Sequence, residues 1–354
     1  MHLDAASQAR ILLVRLSALG DVAYALPALA ALRRHCPQAH IAWAVEEAAA
    51  NLLHNHPQLD ELIVVPRKSW QHRLARGRIG VLAEIRRFRR ELRARQFDYA
   101  IDLQGNLRSA LLTAASAATH KIGFAPPCSK EHSHLLMNHT IAVDLGQHKV
   151  SRNLALLAAM GVAVDDPQPQ FAPAATADLE AVNRLLERLQ PGGRFVLIHP
   201  GVSRFGAFKQ WPPERYARLC RHLGERAIAS VISAGPGEER LAADIADGSG
   251  GAAITAEGLT LPQVVELIRR AAAFVASDTG PTQIAWMLGT PTAALMGPKD
   301  PAIYGPQGSG HRKLTADIPC RPCNRRRCSD NRCMTEITVE TVLDAVLELI
   351  GPVE

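Results

Sequence analysis

Residues 11–22 read ILLVRLSALGDV, an apolar run that passes through a small turn into further apolar residues. Residues 11–15 predict a buried strand, residues 17–21 a turn wide enough to surround a phosphate, and residues 22–32 a helix. This order of strand, turn and helix continues along the chain, and strands that alternate with helices predict parallel sheets.

The 354 residues exceed what one hydrophobic core usually supports. Residues 165–173, DDPQPQFAP, have no periodicity and predict a linker. We therefore expect two doubly wound α/β domains, 1–172 and 173–354, with ligands at the carboxyl ends of the strands and a cleft between the domains. The predicted strands are 41–45, 62–65, 99–103, 195–199, 230–233, 274–277 and 292–295, and the predicted helices are 79–95, 177–188 and a terminal one, 338–350, which could pack back on the first domain.

The composition is 47% hydrophobic, 21% charged and 5% aromatic, which is typical of a soluble globular protein. The first residues lack the pattern of a signal peptide. No apolar stretch approaches the ~20 residues that a membrane helix needs. We expect a cytoplasmic protein.

The net charge of +6 indicates anionic partners without identifying them. Most of the excess lies between residues 67 and 95, where only Glu84 and Glu91 oppose eleven basic residues. This run is either a solvated helix surface or a binding surface for anions. Its members are Arg67, Lys68, Arg73, Arg76, Arg78, Arg86, Arg87, Arg89, Arg90, Arg93 and Arg95.

The turn after the first strand carries a carboxylate, Asp21. It contains one glycine instead of the Gly-x-Gly-x-x-Gly pattern of dinucleotide sites, which disfavours NAD and FAD. Near a helix amino terminus Asp21 would stay ionised, as a general base requires. The alternative is that Asp21 only caps the helix.

The second half contains residue types that suit a nucleoside diphosphate. Ser203 and Lys209 follow a strand within a loop of small residues, and residues 278–280 open a helix, so both segments can bind phosphate oxygens. Glu238 follows another strand, where an acidic residue commonly holds ribose hydroxyls.

Several strings resemble, in matching order, the ADP-heptose:lipopolysaccharide heptosyltransferases of glycosyltransferase family 9. They are VRLSALGDV, DLQGNLRSALL, KIGF, HPG with KQWP, SDTGP with GTPTAALMGP, and CRPC with CMTEIT, between residues 14 and 338. The resemblance implies a GT-B fold, in which two Rossmann-like domains face each other across a cleft. It also implies an inverting reaction with no obligatory catalytic metal and no cofactor beyond the ADP-sugar substrate.

The resemblance also assigns roles to residues of the donor site. Asp21 matches the family's base, and Lys209 the lysine that contacts the donor diphosphate and stabilises the departing nucleotide, with Ser203 as a nearby phosphate donor. The remaining matches are Glu238 on the ribose, Leu259 by the adenine, Asp278 on the sugar hydroxyls, and Thr279 and Gly280 with backbone amides for phosphate.

On the acceptor side, Arg67, Lys68, Trp70 and Lys130 resemble the family's acceptor-binding positions. They would meet the phosphates and Kdo carboxylates of an anionic lipid-linked acceptor such as Kdo-lipid A. The resemblance thus implies a monomer that works at the inner face of the inner membrane in peripheral contact with it, without nucleic acid. Gln283 replaces the family's usual histidine and Lys299 a small hydroxyl residue, which leaves the donor open.

Four cysteines, Cys320, Cys323, Cys328 and Cys333, have the compact spacing of a structural metal site. A structural metal, a disulfide and free thiols in a packed loop all remain possible, and a catalytic role is not expected. The scattered histidines lack a fixed ligand spacing.

Three functions are consistent with these observations. The first is heptose transfer to the Kdo/heptose inner core of lipopolysaccharide, or transfer from another nucleotide sugar by the same family. The second is a sugar-nucleotide epimerase or hydrolase on a GT-B fold, which would consume the donor without an acceptor. The third is a non-catalytic binder of nucleic acid or anionic membrane, which leaves the diphosphate-binding residues unexplained.

Overall fold

A computed structural model describes residues 2–189, 194–323, 325 and 328–351, without the side chains of Arg204 and Phe205. The chain divides into two compact units, Met1–Pro173 and Ala174–Glu354. The division lies one residue beyond the boundary expected from the linker sequence.

The first unit is built around one parallel sheet. Its strands are β1 (Arg10–Val14), β2 (His40–Glu46), β3 (Glu61–Val65), β4 (Tyr99–Asp102), β5 (His120–Phe124) and β6 (His139–Ile141). Its helices are α1 (Leu19–Ala23), α2 (Leu26–His35), α3 (Glu47–Ala50), α4 (Arg67–Ala75), α5 (Val81–Ala94), α6 (Leu107–Ala115) and α7 (Lys149–Ala158), with a 3-10 turn at Ser133–Leu136. The spatial order of the strands is β3-β2-β1-β4-β5-β6.

The second unit repeats this plan. Its strands are β7 (Phe195–His199), β8 (Ala229–Ser233), β9 (Ala253–Ala256), β10 (Ala273–Ser277), β11 (Thr292–Leu295) and β12 (His311–Leu314), in the order β12-β11-β10-β7-β8-β9. Its helices are α8 (Thr176–Leu186), α9 (Pro213–Gly224), α10 (Glu239–Gly248), α11 (Leu261–Arg270), α12 (Gly280–Met287), α13 (Pro301–Tyr304), α14 (Arg332–Thr335) and α15 (Val339–Ile350), with a 3-10 turn at Arg204–Lys209.

Counted from the start of each unit, both sheets have the strand order 3-2-1-4-5-6 of doubly wound folds. The expected pair of Rossmann-like domains is thus confirmed. In this order the first and fourth strands are neighbours, and the chain leaves them toward opposite sides of the sheet. The crevice at their carboxyl ends is the usual ligand site, and it lies at β1 and β4 in the first unit and at β7 and β10 in the second.

Burial explains why these strands form. Every residue of β7 and β10 is buried, as expected for strands covered by helices on both faces. In the same core Trp211 is fully buried, and its indole N–H donates to the Ile337 carbonyl at 2.9 Å. This bond ties the entrance of α9 to the segment before α15.

Two details differ from the sequence predictions. The helix expected at 22–32 is two helices, with a break between Ala23 and Leu26. Pro27 lies in the first turn of the second helix, where its missing backbone N–H disrupts no hydrogen bond. Arg15 lies just beyond β1. The terminal helix α15 packs on α9, β10, β11 and β12 of its own unit.

Among the described residues, no helix combines the length and the apolar composition needed to cross a bilayer.

Candidate functional site

In the first unit, the loops after β1 and β4 are tied together by one side chain. The Gln104 side-chain oxygen accepts the N–H of Leu16 at 2.8 Å and that of Ser17 at 3.3 Å. Asp102, at the end of β4, accepts N–H groups from Gln104 at 2.9 Å and Gly105 at 3.0 Å. Burial raises the pKa of Asp102, although these hydrogen bonds act in the opposite direction and lower it. Asp102 therefore shapes the turn that positions the loop carrying Asp21.

Asp21 is held by a buried arginine. Arg15 Nη2 lies 2.8 Å from Asp21 Oδ2, and Arg15 Nη1 donates to the Leu103 carbonyl. The Arg15 side chain is 9% exposed, whereas that of Asp21 is 37% exposed. The N-cap of α1 is Ala18, without a side-chain capping bond. The alternative that Asp21 only caps the helix is wrong, since its carboxylate pairs with Arg15 and remains accessible to solvent.

Other cations surround this carboxylate. Burial lowers the pKa of the half-buried Lys149, and its charge also interacts with Asp21, Arg15, Arg152 and Lys130. The structure thus brings the predicted acceptor residue Lys130 into the same region as Asp21. The sequence analysis missed Lys149, which begins α7 immediately after its N-cap His148.

The basic and aromatic residues on α4 have different surroundings. Arg67 forms a two-point pair with the buried Glu46, with Nε–Oε1 at 2.5 Å and Nη2–Oε2 at 3.1 Å. Trp70 packs edge-to-face on Phe88, with 5.3 Å between ring centres. Lys68 is exposed. Arg67 and Trp70 therefore anchor α4, and of the three predicted residues on this helix Lys68 is the most accessible to a ligand.

The second unit contains a largely buried ion pair at the end of β10. Lys209 Nζ lies 2.5 Å from Asp278 Oδ2 and donates to the Asp278 carbonyl at 3.1 Å. The side chains of Lys209 and Asp278 are 18% and 10% exposed. Two residues 69 positions apart are thus brought together by the adjacency of β7 and β10.

Gln283 fixes the other oxygen of Asp278. Its amide nitrogen donates to Asp278 Oδ1 at 3.1 Å and to the Tyr304 carbonyl at 3.2 Å, while its oxygen accepts the Trp286 N–H at 2.7 Å. Lys299 Nζ lies 5.1 Å from the centre of the Tyr304 ring. Gln283, one of the two departures from the family pattern, therefore supports Asp278 directly.

The predicted phosphate-binding segments flank this pair. Ser203 is exposed and precedes the 3-10 turn that ends at Lys209. Thr279 is the N-cap of α12, which begins at Gly280, and its hydroxyl lies 3.2 Å from that of Thr282. Amides in the first turn of a helix have no acceptor within the helix and favour anions.

Glu238 lies against glycine backbone. Its Oε2 accepts the Gly235 N–H at 2.8 Å, and a Cβ added to Gly201 would lie 1.8 Å from the same oxygen. Burial raises the pKa of Glu238. Residue 201 must therefore lack a side chain for the carboxylate to occupy this position.

His199 lies beneath Glu238, with its Nε2 3.9 Å from Glu238 Oε2 and its Nδ1 3.0 Å from the Ser233 hydroxyl. Burial lowers its pKa to about 4, so the ring is neutral at neutral pH. Leu259 is half-buried in the next loop, immediately before Thr260, which opens α11 with a capping box.

The four clustered cysteines lie toward the end of the second unit. Among the described residues no group of three or more His, Cys, Asp or Glu side chains is arranged to hold a metal ion, and the cysteines are free thiols. Cys333 belongs to the core, and burial raises its pKa. Cys320 and Cys328 are exposed, and backbone N–H groups of Asn331 and Asp330 lower the pKa of Cys328. The described residues thus show free thiols and no disulfide among the four cysteines, and a structural metal at this cluster is not shown.

The two units offer complementary chemistry. The first presents an accessible carboxylate among cations, and the second a lysine, free helix amides and two carboxylates suited to phosphates and hydroxyls. Sequence reasoning missed the roles of Arg15, Asp102, Gln104 and His199. All four lie within the quoted strings, but only burial and hydrogen bonding reveal what they do.

Comparison with known proteins agrees with this geometry. The family model described as glycosyltransferase family 9 (heptosyltransferase) matches residues 85–334. Lipopolysaccharide heptosyltransferase 1 of Pseudomonas aeruginosa is 32% identical over 323 residues, which cover 90% of this chain and 87% of that protein.

Solved structures are similar along nearly the whole chain. A glycosyl transferase family 9 protein from Veillonella parvula has a TM-score of 0.84 and 23% identity, covering 99% of this chain and 98% of the other, and supports the fold. The Escherichia coli heptosyltransferase WaaC with ADP-2-deoxy-2-fluoro heptose has a TM-score of 0.74 and 25% identity, covering 96% and 99%.

We predict that His199 makes the stability of the second unit depend on acidic pH. Burial lowers the pKa of His199 in the folded protein to about 4, below its ordinary value of 6.5, so between these pH values the unfolded chain takes up a proton that the folded one does not. The contribution of His199 to the free energy of unfolding is fully present above pH 6.5. It decreases by about 3 kcal/mol as the pH falls to about 4. Urea unfolding of the wild type and of His199→Asn, measured between pH 7.5 and pH 4.5, checks this.

The difference in unfolding free energy between the two proteins should narrow as the pH falls. A difference in unfolding free energy that stays constant across this pH range would contradict the low pKa of His199. Glu238, whose raised pKa favours stability toward lower pH, gives the opposite dependence.

Proposed function

The chain belongs to glycosyltransferase family 9, the heptosyltransferase family, and on this premise we propose that it transfers a heptose from ADP-heptose to the inner core of lipopolysaccharide. The acceptor is an anionic, lipid-linked Kdo or Kdo–heptose saccharide. The relatives named as lipopolysaccharide heptosyltransferases and the structure of one with an ADP-heptose analogue support this substrate class.

The observation that carries the proposal is the Lys209–Asp278 pair at the switch point of the second sheet. An ammonium there can neutralise a diphosphate, and the neighbouring carboxylate can accept hydrogen bonds from sugar hydroxyls. Lys209, Ser203 and the amides of Thr279 and Gly280 bind the diphosphate. Asp278 holds heptose hydroxyls, Glu238 holds the ribose, and Leu259 lies by the adenine.

The reaction is a single displacement that inverts the anomeric centre. Asp21 removes the proton of the acceptor hydroxyl as its oxygen attacks the anomeric carbon, and the bond from that carbon to the diphosphate breaks. Lys209 stabilises the negative charge that develops on the departing ADP. Preorganised charge of this kind is commonly the largest contribution to catalysis.

Arg15 acts on the reaction through Asp21. Its guanidinium is held by the Leu103 carbonyl and fixes one oxygen of the carboxylate, so that the base keeps a defined direction. Lys68, Lys130 and Lys149 supply positive charge for the acceptor's phosphates and carboxylates, while Arg67 and Trp70 hold α4 in place.

The acceptor places the reaction at a membrane. We propose that the protein works in the cytoplasm, at the inner face of the inner membrane, through peripheral contact with anionic lipid.

A donor screen tests the proposed function. ADP-heptose and UDP- and GDP-sugars are each incubated with Kdo-lipid A, and the products are identified by mass spectrometry. Addition of one heptose from ADP-heptose alone is expected. Transfer of a different sugar would contradict the donor assignment, and breakdown or epimerisation of ADP-heptose without acceptor would favour an epimerase or hydrolase.

We predict that Asp21→Asn lowers kcat for heptose transfer about 10²–10⁴-fold, since the amide cannot accept the proton. The affinity for ADP should not change, because Asp21 contacts no donor group in this mechanism. Initial rates with saturating substrates and calorimetric titration with ADP measure the two quantities.

The control for this variant is Glu91→Gln, which neutralises an exposed carboxylate of α5 in the same unit. It should leave kcat unchanged. Wild-type turnover by Asp21→Asn would rule out its role as the base.

We predict that Gly201→Ala weakens ADP binding about tenfold or more. The added Cβ would overlap Glu238 Oε2, and displacing this carboxylate removes charge-assisted hydrogen bonds to the ribose. Gly310→Ala is the matched control, because a Cβ there meets no atom within 4 Å. Equal ADP affinities of the two variants would refute the ribose assignment of Glu238.

A further inference from the structure

Helix α5 presents a stripe of arginines outside the site described above. Only Val81 and Leu92 of this helix are buried. Arg86, Arg89, Arg90 and Arg93 are all exposed and lie three, four and seven positions apart, which places them on one face of the helix. Together they line a surface depression of about 240 Å³.

This stripe carries uncompensated charge. Elsewhere in the same basic segment, Arg73 pairs with Glu84 at 2.6 Å and Arg95 with Glu61 at 2.7 Å. Among the residues that the structure describes, none of the four stripe arginines forms an ion pair with a carboxylate. Like charges four positions apart destabilise a helix, so an anionic partner would relieve a repulsion that the folded protein otherwise carries.

Exposed aliphatic side chains lie at the start of the stripe. Leu74 is the second-last residue of α4, Ile79 lies in the turn between the two helices, and Leu82 is the second residue of α5. Their exposed fractions are 40%, 75% and 43%. Leu82 is four residues before Arg86 and so shares its helix face. Large aliphatic groups beside arginines are typical of surfaces that lie at a lipid interface.

We propose that this face, formed by the four stripe arginines with Leu74, Ile79 and Leu82, docks the enzyme on an anionic phospholipid bilayer. The guanidinium groups bind lipid phosphates, and the three aliphatic side chains enter the boundary between head groups and acyl chains. Nucleic acid would satisfy the charges but offers no apolar phase for Ile79. The proposal rests on the proposed function, because a lipid-linked acceptor gives the enzyme a reason to bind a bilayer.

Vesicle sedimentation of the full chain tests this surface. The probes are vesicles of phosphatidylethanolamine with phosphatidylglycerol and vesicles of phosphatidylcholine alone. The test variant replaces Arg86, Arg89, Arg90 and Arg93 by Gln. Its control replaces Arg184, Arg221, Arg240 and Arg269 by Gln, removing the same charge from exposed positions on helices of the second unit.

The stripe variant should lose about tenfold or more of its partitioning onto the phosphatidylglycerol vesicles, while the control keeps wild-type partitioning. Neither protein should bind phosphatidylcholine. A third variant, Leu74→Ser/Ile79→Ser/Leu82→Ser, should also bind the anionic vesicles more weakly. On a deacylated Kdo acceptor, all variants should turn over like the wild type.

The proposal is overturned if the stripe variant keeps its vesicle binding, if the control loses as much, or if the wild type binds duplex DNA or RNA more tightly than anionic vesicles. Loss of turnover on the deacylated acceptor would also overturn it, by assigning the stripe to the acceptor site. If no heptose is transferred by any variant, the proposed function fails, while vesicle partitioning still decides the surface.

Discussion

All strands of the two described sheets run parallel, and the position of every functional residue depends on this constraint. Parallel strands end at the same edge of a sheet, and the 3-2-1-4-5-6 order makes the chain diverge between the first and fourth strands. The loop with Asp21 and the loop with Gln104 meet there in the first unit. Lys209 and Asp278 meet at the equivalent point in the second.

At both sites a largely buried cation is paired with a carboxylate. Arg15 pairs with Asp21 and Lys209 with Asp278, since a buried charge without a partner is strongly destabilising. Each pair leaves room for a substrate. Asp21 is over a third exposed, and Lys209 lies beside helix amides that attract phosphate. A diphosphate can therefore share the ammonium with Asp278, while Gln283 keeps that carboxylate in place.

Much of this arrangement could be predicted from the sequence. Alternation of apolar strands and amphipathic helices indicated the two Rossmann-like domains, and the strands 195–199 and 292–295 agree with the structure at both ends. The contacts of Arg67 and Trp70 could not be predicted from the sequence. The family resemblance indicated acceptor binding by these residues, but it did not indicate that Arg67 pairs with Glu46 and that Trp70 packs on Phe88, contacts that depend on distant parts of the chain. Short elements such as β6 and α3 carry too few residues for a periodic signal.

The most direct test of the account is the affinity of the second unit's site for ADP compared with adenosine, measured by calorimetry on the full chain. The wild type should prefer ADP, and Lys209→Met should lose about 10- to 100-fold of this preference. The double variant Lys209→Met/Asp278→Asn, which leaves no unpaired buried charge, should show the same loss. An undiminished preference for ADP in both variants would contradict the assignment of Lys209 to the donor diphosphate.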